Sequence, residues 1–214
     1  MKHVIINLSP REKGSSKMLT NYFADRIRSE ADLVDTCDLY SYLNEMDFIL
    51  SKIKKSDCII MIGPCYITSY PADTINLLNK MSSKEGVLHG QSLYGFIQGG
   101  MPYVHTHEHG LKLLQCFCEK EEVEYKGGYV MGGGAVLNGQ ALNKIIGAKK
   151  VVPAVNKFID NIKNNRKSPE ELYKNAAIEI PYVITKMMPV MMNKSIKRTL
   201  RKKGINYKVK SPYF

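Results

Sequence analysis

The sequence predicts an α/β protein: a three-layer sandwich on a five-stranded parallel sheet in the order 2-1-3-4-5, with a helical, basic C-terminal extension. Three observations carry that expectation. Apolar runs of strand length alternate along the chain with segments whose apolar residues recur at helical spacing. One run, Cys58-Ile59-Ile60-Met61-Ile62, is apolar throughout, as a central parallel strand covered on both faces requires. The charge is also lopsided: of the net +11, residues 163–214 carry 13 Lys+Arg against 3 Asp+Glu, or +10, and residues 1–162 carry 18 against 17, or +1. A near-neutral domain thus precedes a basic tail, and the expected division is 1–165 and 166–214.

The first strand is His3-Val4-Ile5-Ile6-Asn7-Leu8, rich in β-branched residues and closed by Ser9-Pro10. Met18, Leu19, Tyr22, Phe23 and Ile27 follow at helical spacing. Leu33 to Leu39 alternates in part and reads as the second strand, and Leu43, Met46, Ile49, Leu50 and Ile53 mark the next helical face. Gly63-Pro64 ends the third strand, Cys58 to Ile62, with Ile75, Leu78 and Met81 after it. The fourth is Leu93-Tyr94-Gly95-Phe96-Ile97, closed by Gly99-Gly100 and followed by Leu111, Leu114, Phe117 and Cys118. The fifth is short, Tyr129-Val130-Met131, set between Gly127-Gly128 and Gly132-Gly133-Gly134. A last helix is expected over Gln140 to Asn164 on Ile145, Val152, Val155, Ile159 and Ile162, kinked or divided at Pro153. The expected strand order is the flavodoxin-like arrangement.

At 214 residues and 44% hydrophobic, the chain can fill one sizeable core and carry an appendage. No run reaches the ~18 apolar residues of a membrane span, and the N-terminus lacks the long apolar stretch of a signal peptide. The five cysteines (Cys37, Cys58, Cys65, Cys116, Cys118) are odd in number and show no C-x-x-C spacing. That argues against a disulfide framework, a zinc ribbon or a cysteine-ligated cluster, and a cytoplasmic location is the expectation. The basic tail invites nucleic acid or an anionic membrane. A charge run is more often a solvated face, so neither partner is favoured.

In such a sheet a ligand sits beyond the C-terminal ends of the strands, near the switch point between the first and third. That rule selects three turns: Ser9 to Ser16, Gly63 to Tyr70, and Gln98 to His109. The first, Ser9-Pro10-Arg11-Glu12-Lys13-Gly14-Ser15-Ser16, leads from strand to helix and offers hydroxyls, one Gly and two cations. With the unpaired N–H groups and positive dipole end of a helix start, it suits a phosphate. The plainer alternative is that Ser15 or Ser16 only caps the helix. The second turn is stiffened by Pro64 and Pro71, and Tyr66, Ile67 and Tyr70 make it too apolar for a solvated loop. It reads as a rigid wall for a flat aromatic ligand, or else as a cap on the core. In the third, Gly99-Gly100 lets main chain approach a ligand closely. A mononucleotide with a planar ring would fill the crevice between them. The G-x-G-x-x-G fingerprint is absent from the first turn, so a tightly held NAD is not expected there.

Ser9-Pro10-Arg11-x-x-Gly14-Ser15-Ser16 resembles the S-P-R-x-x-G-N-S phosphate loop of NAD(P)H-dependent FMN reductases and related flavodoxin-fold oxidoreductases, with Ser15 where Asn is usual. Gly63-Pro64-Cys65-Tyr66-Ile67 is similar to that family's P-x-Y flavin loop. Gly100-Met101-Pro102, the glycines around the fifth strand, Ile180-Pro181-Tyr182 and the basic C-terminus resemble one subgroup of it. The resemblance covers nearly the whole chain. It implies a bound FMN, with Ser9, Arg11, Gly14, Ser15 and Ser16 on the phosphate. Pro64, Cys65, Tyr66 and Ile67 would lie along the ribityl chain and ring, and Gly99, Gly100 and Met101 near the isoalloxazine edge. It implies NAD(P)H as co-substrate, a small-molecule electron acceptor such as a quinone, a nitroaromatic or free flavin, and a homodimer. Hydride transfer to a flavin asks for no protein acid or base, so no catalytic residue is assigned. Cys65 is expected to pack and not to act as a redox thiol. The rival reading is a flavodoxin-like electron carrier, or flavin-binding protein, without turnover of its own; such carriers tend to be shorter and acidic.

Two signals compete. His105-Thr106-His107-Glu108-His109 holds three histidines that an extended backbone could aim at one ion. No distant ligand completes the set, so no metal is expected and the segment reads as a polar loop at the mouth of the crevice. In the tail, Ser168-Pro169-Glu170-Glu171 signals a helix start. Apolar Ile178, Ile180, Tyr182, Val183, Ile184, Met187, Met188, Val190, Met191 and Met192 follow, broken by Pro181 and Pro189, and then the basic run Lys194 to Lys203. This stretch is too broken to span a bilayer and could lie at a membrane interface. Packing on its own domain, or as a dimer arm on a second subunit, is preferred.

Overall fold

Strands without a polar face need a layer on each side, and β3 (Cys58–Pro64) and β4 (Ser92–Gln98) are buried at every position. They form the middle of a parallel sheet with β1 (Lys2–Asn7), β2 (Leu33–Asp38) and β5 (Glu124–Met131), ordered β2-β1-β3-β4-β5. The structure is a computed structural model and describes residues 1–30, 32–121, 123–144, 151–174 and 182–205. Helices α1 (Ser15–Ile27), α2 (Met46–Lys54), α3 (Ala72–Ser83), α4 (Glu108–Lys120) and α5 (Val151–Lys163) complete a flavodoxin-like sandwich, as expected. Helix α1 packs against α5, and α2 against α3. An aromatic cluster ties α1 and α5 to the sheet. Phe23 stands edge-on to Phe96 with centroids 5.3 Å apart, and Phe96 stacks on Tyr129 at 5.1 Å. Phe158 of α5 contacts all three rings.

The chain divides into two compact units, Met1–Glu179 and Ile180–Phe214. The first residues of the expected extension belong to the first unit. Ser168 N–H donates to Lys126 O at 2.7 Å, the Tyr94 hydroxyl donates to Arg166 O at 2.8 Å, and Tyr173, in α6 (Glu171–Lys174), lies edge-on to Tyr129. The second unit holds α7 (Tyr182–Lys202), with Pro189 inside it.

Three element boundaries differ from the sequence reading. Strand β3 continues through Gly63-Pro64, because the Gly63 position is pressed by Tyr70 and Leu8 and serves packing, not a stop. Strand β5 begins at Glu124, so Gly127 and Gly128 lie inside it and do not bound it. A Cβ on Gly127 (φ +106) would lie 2.3 Å from Ser168 O, and one on Gly128 2.6 Å from Leu111. Both glycines admit close neighbours to the strand. The expected helix over 140–164 is a short 3-10 turn, Leu142–Lys144, and then α5. Pro153 is the third residue of α5, where its missing N–H costs nothing, and it does not kink the helix interior. Ile145, Ile178, Ile180 and Pro181 lie outside the described residues.

Candidate active site

The three turns selected by the switch-point rule converge on one crevice of about 170 Å³. Ser9, Arg11, Gly14, Ser15 and Ser16 line it from the first turn, Pro64, Cys65 and Tyr66 from the second, and Gly99 and Gly100 from the third. Ile67 and Met101, also expected there, stand outside it, 96% and 55% exposed beside Tyr66 and Gly100. Gln98 and Asn138 line it as well.

Side chains shape the first turn locally. Ser9 N–H donates to Asn7 Oδ1, and Ser9 Oγ accepts from Arg11 N–H, both at 3.2 Å. The N-cap of α1 is Gly14, and no side chain caps that end. Ser15 and Ser16 are therefore not caps. Ser15 Oγ donates to Gly134 O at 3.1 Å, and Ser16 Oγ accepts from Gln98 Nε2 at 3.3 Å. A helix start with a glycine cap and no side-chain acceptor leaves first-turn N–H groups for an anion. The Lys17 ammonium is paired with Asp38, which leaves exposed Arg11 as the cation on the crevice wall.

In the second turn Cys65 N–H donates to Gln98 O at 2.6 Å. Tyr66 and Ser69 then exchange backbone bonds of 2.8 and 3.4 Å and close a tight turn. Ile67 sits in it at φ +66, a left-handed position that a β-branched residue rarely takes. Such strain is found where surrounding structure imposes a functional shape. Tyr70 turns the other way. It is buried, and a Cβ on Gly63 would stand 2.8 Å from its ring, so it is core and not wall. Cys65 Sγ lies 3.9 Å from Thr106 O. Burial pushes its thiol up, which disfavours the thiolate and fits the expected packing role.

The third turn is held from two sides. Gly99 N–H donates to Met131 O at 3.2 Å, and Gly133 N–H donates to Met101 O at 2.9 Å. The same carbonyl accepts from His107 Nε2 at 2.9 Å. The buried His107 ring covers Gly99 so closely that a Cβ there would lie 2.3 Å from it. His105 is exposed and stacks with Tyr103, and His109 is exposed on α4. The three histidines thus have separate settings, and among the described residues no cluster is placed to hold a metal.

Sequence reading missed a fourth wall, the loop after β5. Gly134 receives the Ser15 hydroxyl, and Gly139 approaches the Gly14 backbone. Asn138 (φ +42) lines the crevice. The pair Asn138-Gly139 was the available signal, since both residue types tolerate left-handed backbone. Gln98 opens the third turn, and nothing in its residue type alone marks it as a crevice residue. Its Oε1 is buried without a hydrogen-bond partner among the described residues.

The profile of the family described as NADPH-dependent FMN reductase matches residues 1–117. The chain belongs to this family. Membership makes it an oxidoreductase with FMN as cofactor and NAD(P)H as electron donor. Solved structures agree with the fold of these reductases. An NADH:FMN oxidoreductase in its apo form is 16% identical, with a TM-score of 0.62 over 80% of this chain and 93% of that one. An FMN-dependent NADH-azoreductase from Bacillus anthracis, in complex with FMN, is 14% identical, with a TM-score of 0.57 over 77% and 99%. A flavone reductase is 11% identical with a TM-score of 0.62, and the chain spans 62% of its length and 77% of its own. No curated protein sequence matches. The residues present fit the FMN of this family: an α1 start without a side-chain cap for its phosphate, and an orphaned Gln98 acceptor for a hydroxyl. Among the described residues, no helix is long and apolar enough to cross a membrane.

Proposed function

We propose that the crevice seats FMN and that the chain passes hydride from NAD(P)H through it to a small planar acceptor, such as a quinone, a nitroaromatic or free flavin. The observation that carries this is the α1 start, where Gly14, Ser15 and Ser16 line the crevice and no side chain caps the helix. Bound FMN supplies the hydride-accepting and electron-releasing chemistry. First-turn N–H groups, the Ser9 and Ser16 hydroxyls and Arg11 hold a phosphate by charge and by donors. Gln98, which lines the crevice, would offer its side-chain amide toward the ribityl chain. Pro64, Cys65 and Tyr66 form one side wall, Gly99 and Gly100 the other. All of these residues fall within the proposed FMN-binding domain, 1–165. A cavity of about 170 Å³ is smaller than the ~300 Å³ or more of a drug-sized ligand site. The exposed Tyr66, Ile67, Met101 and Tyr103 beside it would offer planar rings an apolar surface. That apolar margin also supports a homodimer in which a second copy covers the open side. A cytoplasmic setting goes with five cysteines that are all free thiols.

The test is to titrate apoprotein with FMN and with riboflavin, following quenching of flavin fluorescence. Arg11→Ala removes a charged partner of the phosphate, a loss of about 1.5–3 kcal/mol or roughly ten- to hundredfold in FMN affinity. Riboflavin, which has no phosphate, should lose nothing. Absence of quenching by FMN, or equal loss for both ligands, would overturn the reading.

A further inference from the structure

The third turn ends in a pair of exposed rings that do not line the crevice. Tyr103 and His105 stack with centroids 5.8 Å apart and planes 25° from parallel. Tyr103 is 61% exposed, and His105 is exposed as well. A single aromatic ring in water is ordinary. Two rings ordered face to face are less so, because holding each in place costs side-chain entropy. The backbone beneath supplies that order. Val104–Thr106 is a 3-10 turn, and Tyr103 O accepts from Thr106 N–H at 3.2 Å and from the Thr106 hydroxyl at 2.6 Å. His107 N–H donates to Val104 O at 2.9 Å, and its buried ring ties the same turn to Met101 O. The pair thus stands on a braced support, next to Gly99 and Gly100, which do line the crevice.

We propose that Tyr103 is a specificity-determining residue for the electron acceptor: a planar, electron-poor acceptor lies against its ring, and His105 backs that ring from behind. The inference rests on the FMN reading above and adds to it a preference among acceptors. A ring outside the crevice meets what arrives once the cofactor is seated, not the cofactor itself. The face of a phenol is electron-rich, so it attracts the face of an electron-poor ring such as a quinone in an offset stack. A compact, highly charged acceptor such as ferricyanide has no flat face and gains nothing there. Both draw on the same donor. NAD(P)H and one proton turn one quinone into its quinol, whereas NAD(P)H turns two ferricyanides into two ferrocyanides and releases a proton. Comparing them separates the stacking surface from the supply of electrons.

The experiment compares kcat/KM for menadione and for ferricyanide in the FMN-loaded full chain, with whichever of NADPH and NADH the wild type uses. Tyr103→Ala should lower the menadione-to-ferricyanide ratio about three- to tenfold, the loss of one exposed ring stack, and should do so through KM for menadione. Tyr103→Phe keeps the ring and should restore the wild-type ratio. His105→Ala leaves Tyr103 unsupported and should lower the ratio by less, and His105→Phe should restore it. Circular dichroism checks that each variant keeps the wild-type fold. An unchanged ratio in Tyr103→Ala overturns the proposal, as does an equal loss for both acceptors. So does a raised KM for the nicotinamide donor in place of menadione, which would give the ring to the donor. Loss of a dimer in Tyr103→Ala, read by analytical ultracentrifugation, also overturns it and would give the ring to a second copy. A wild type that binds no FMN overturns the FMN reading along with this one. A wild type that binds FMN and whose ratio ignores the Tyr103 ring overturns this one alone.

Discussion

Gly99→Ala tests whether the third wall of the crevice is held by His107. Gly99 does not have a left-handed backbone, so alanine meets no conformational objection there. Its Cβ would instead stand 2.3 Å from His107 Cε1, 2.7 Å from Nδ1 and 2.8 Å from Nε2. The buried ring has to move, and moving it breaks the 2.9 Å bond from Nε2 to Met101 O. Overpacking costs about 1–3 kcal/mol and the lost bond about 0.5–1.5 kcal/mol. The sum is roughly 2–4 kcal/mol, or very roughly 5–15 °C in Tm at the ~2–4 °C per kcal/mol of a chain this size. His107→Ala removes both the obstacle and the bond. In a double-mutant cycle by urea denaturation, Gly99→Ala on the His107→Ala background should therefore cost at least about 1 kcal/mol less than on wild type. FMN affinity should fall in the single alanine variant at Gly99, since the loop that shifts is a wall of the proposed site. Additivity in the cycle, or a neutral Gly99→Ala, would refute the packing argument.

Further outcomes follow from the same structure. Ile67→Gly relieves a left-handed β-branched residue worth about 1–3 kcal/mol of strain, partly offset by about 0.5–1 kcal/mol of glycine entropy. Tm should hold or rise, and turnover with a planar acceptor should fall. Gln98→Glu places a carboxylate in the proposed FMN crevice and should lower FMN affinity tenfold or more, read by fluorescence quenching. The buried His3 is held below the ordinary 6.5, chiefly by burial and against the pull of Asp32, with the N-terminal ammonium also opposing its charge. The unfolded chain therefore takes this proton first. Stability should fall as pH drops through about 6.5 and recover as it rises, and His3→Gln should flatten that slope in urea titrations. Burial pushes the Cys37 thiol to about 11 and Cys118 to about 12, whereas Cys116 is exposed. Aromatic disulfide reagents should thus show one fast phase that Cys116→Ser removes.

Most of the fold was legible because period and composition are local. Cys58 to Ile62 could only be a strand covered on both faces, and the alternation of strand and helix signals then left one sensible order. The errors arose where one residue type has two uses. Gly63, Gly127 and Gly128 read as breaks, yet their lack of a Cβ admits Tyr70, Ser168 and Leu111 to the strands. Nothing local distinguishes a glycine that ends a strand from one that makes room for a distant side chain. The same limit hid part of the site. Ser9 to Ser16 announced itself by its hydroxyls, Gly and Arg. Gln98 and Asn138 became crevice residues only through contacts 82 and about 120 positions away in sequence, Gln98 with Ser16 and the loop bearing Asn138 with Ser15. Tyr66 and Tyr70 have the same chemistry and opposite fates, decided by the tight turn between them.

That loop after β5 changes how the crevice should be understood. A phosphate turn on a switch-point sheet needs no partner from the far edge strand. Here Gly134 O takes the Ser15 hydroxyl, and a Cβ on Gly132 would lie 2.2 Å from Pro102 O. The first turn and the third are thus both registered against the chain that leaves β5. Pro102 O is backbone, unlike the His107 ring, so it cannot swing aside. Gly132→Ala should therefore be the harsher substitution, although Gly132 does not line the crevice. It should displace the 99–103 wall and weaken FMN binding along with stability, and His107→Ala should rescue neither. If Gly132→Ala binds FMN as wild type does, the third wall is positioned by β4 and His107 alone, and the loop after β5 is only a cover.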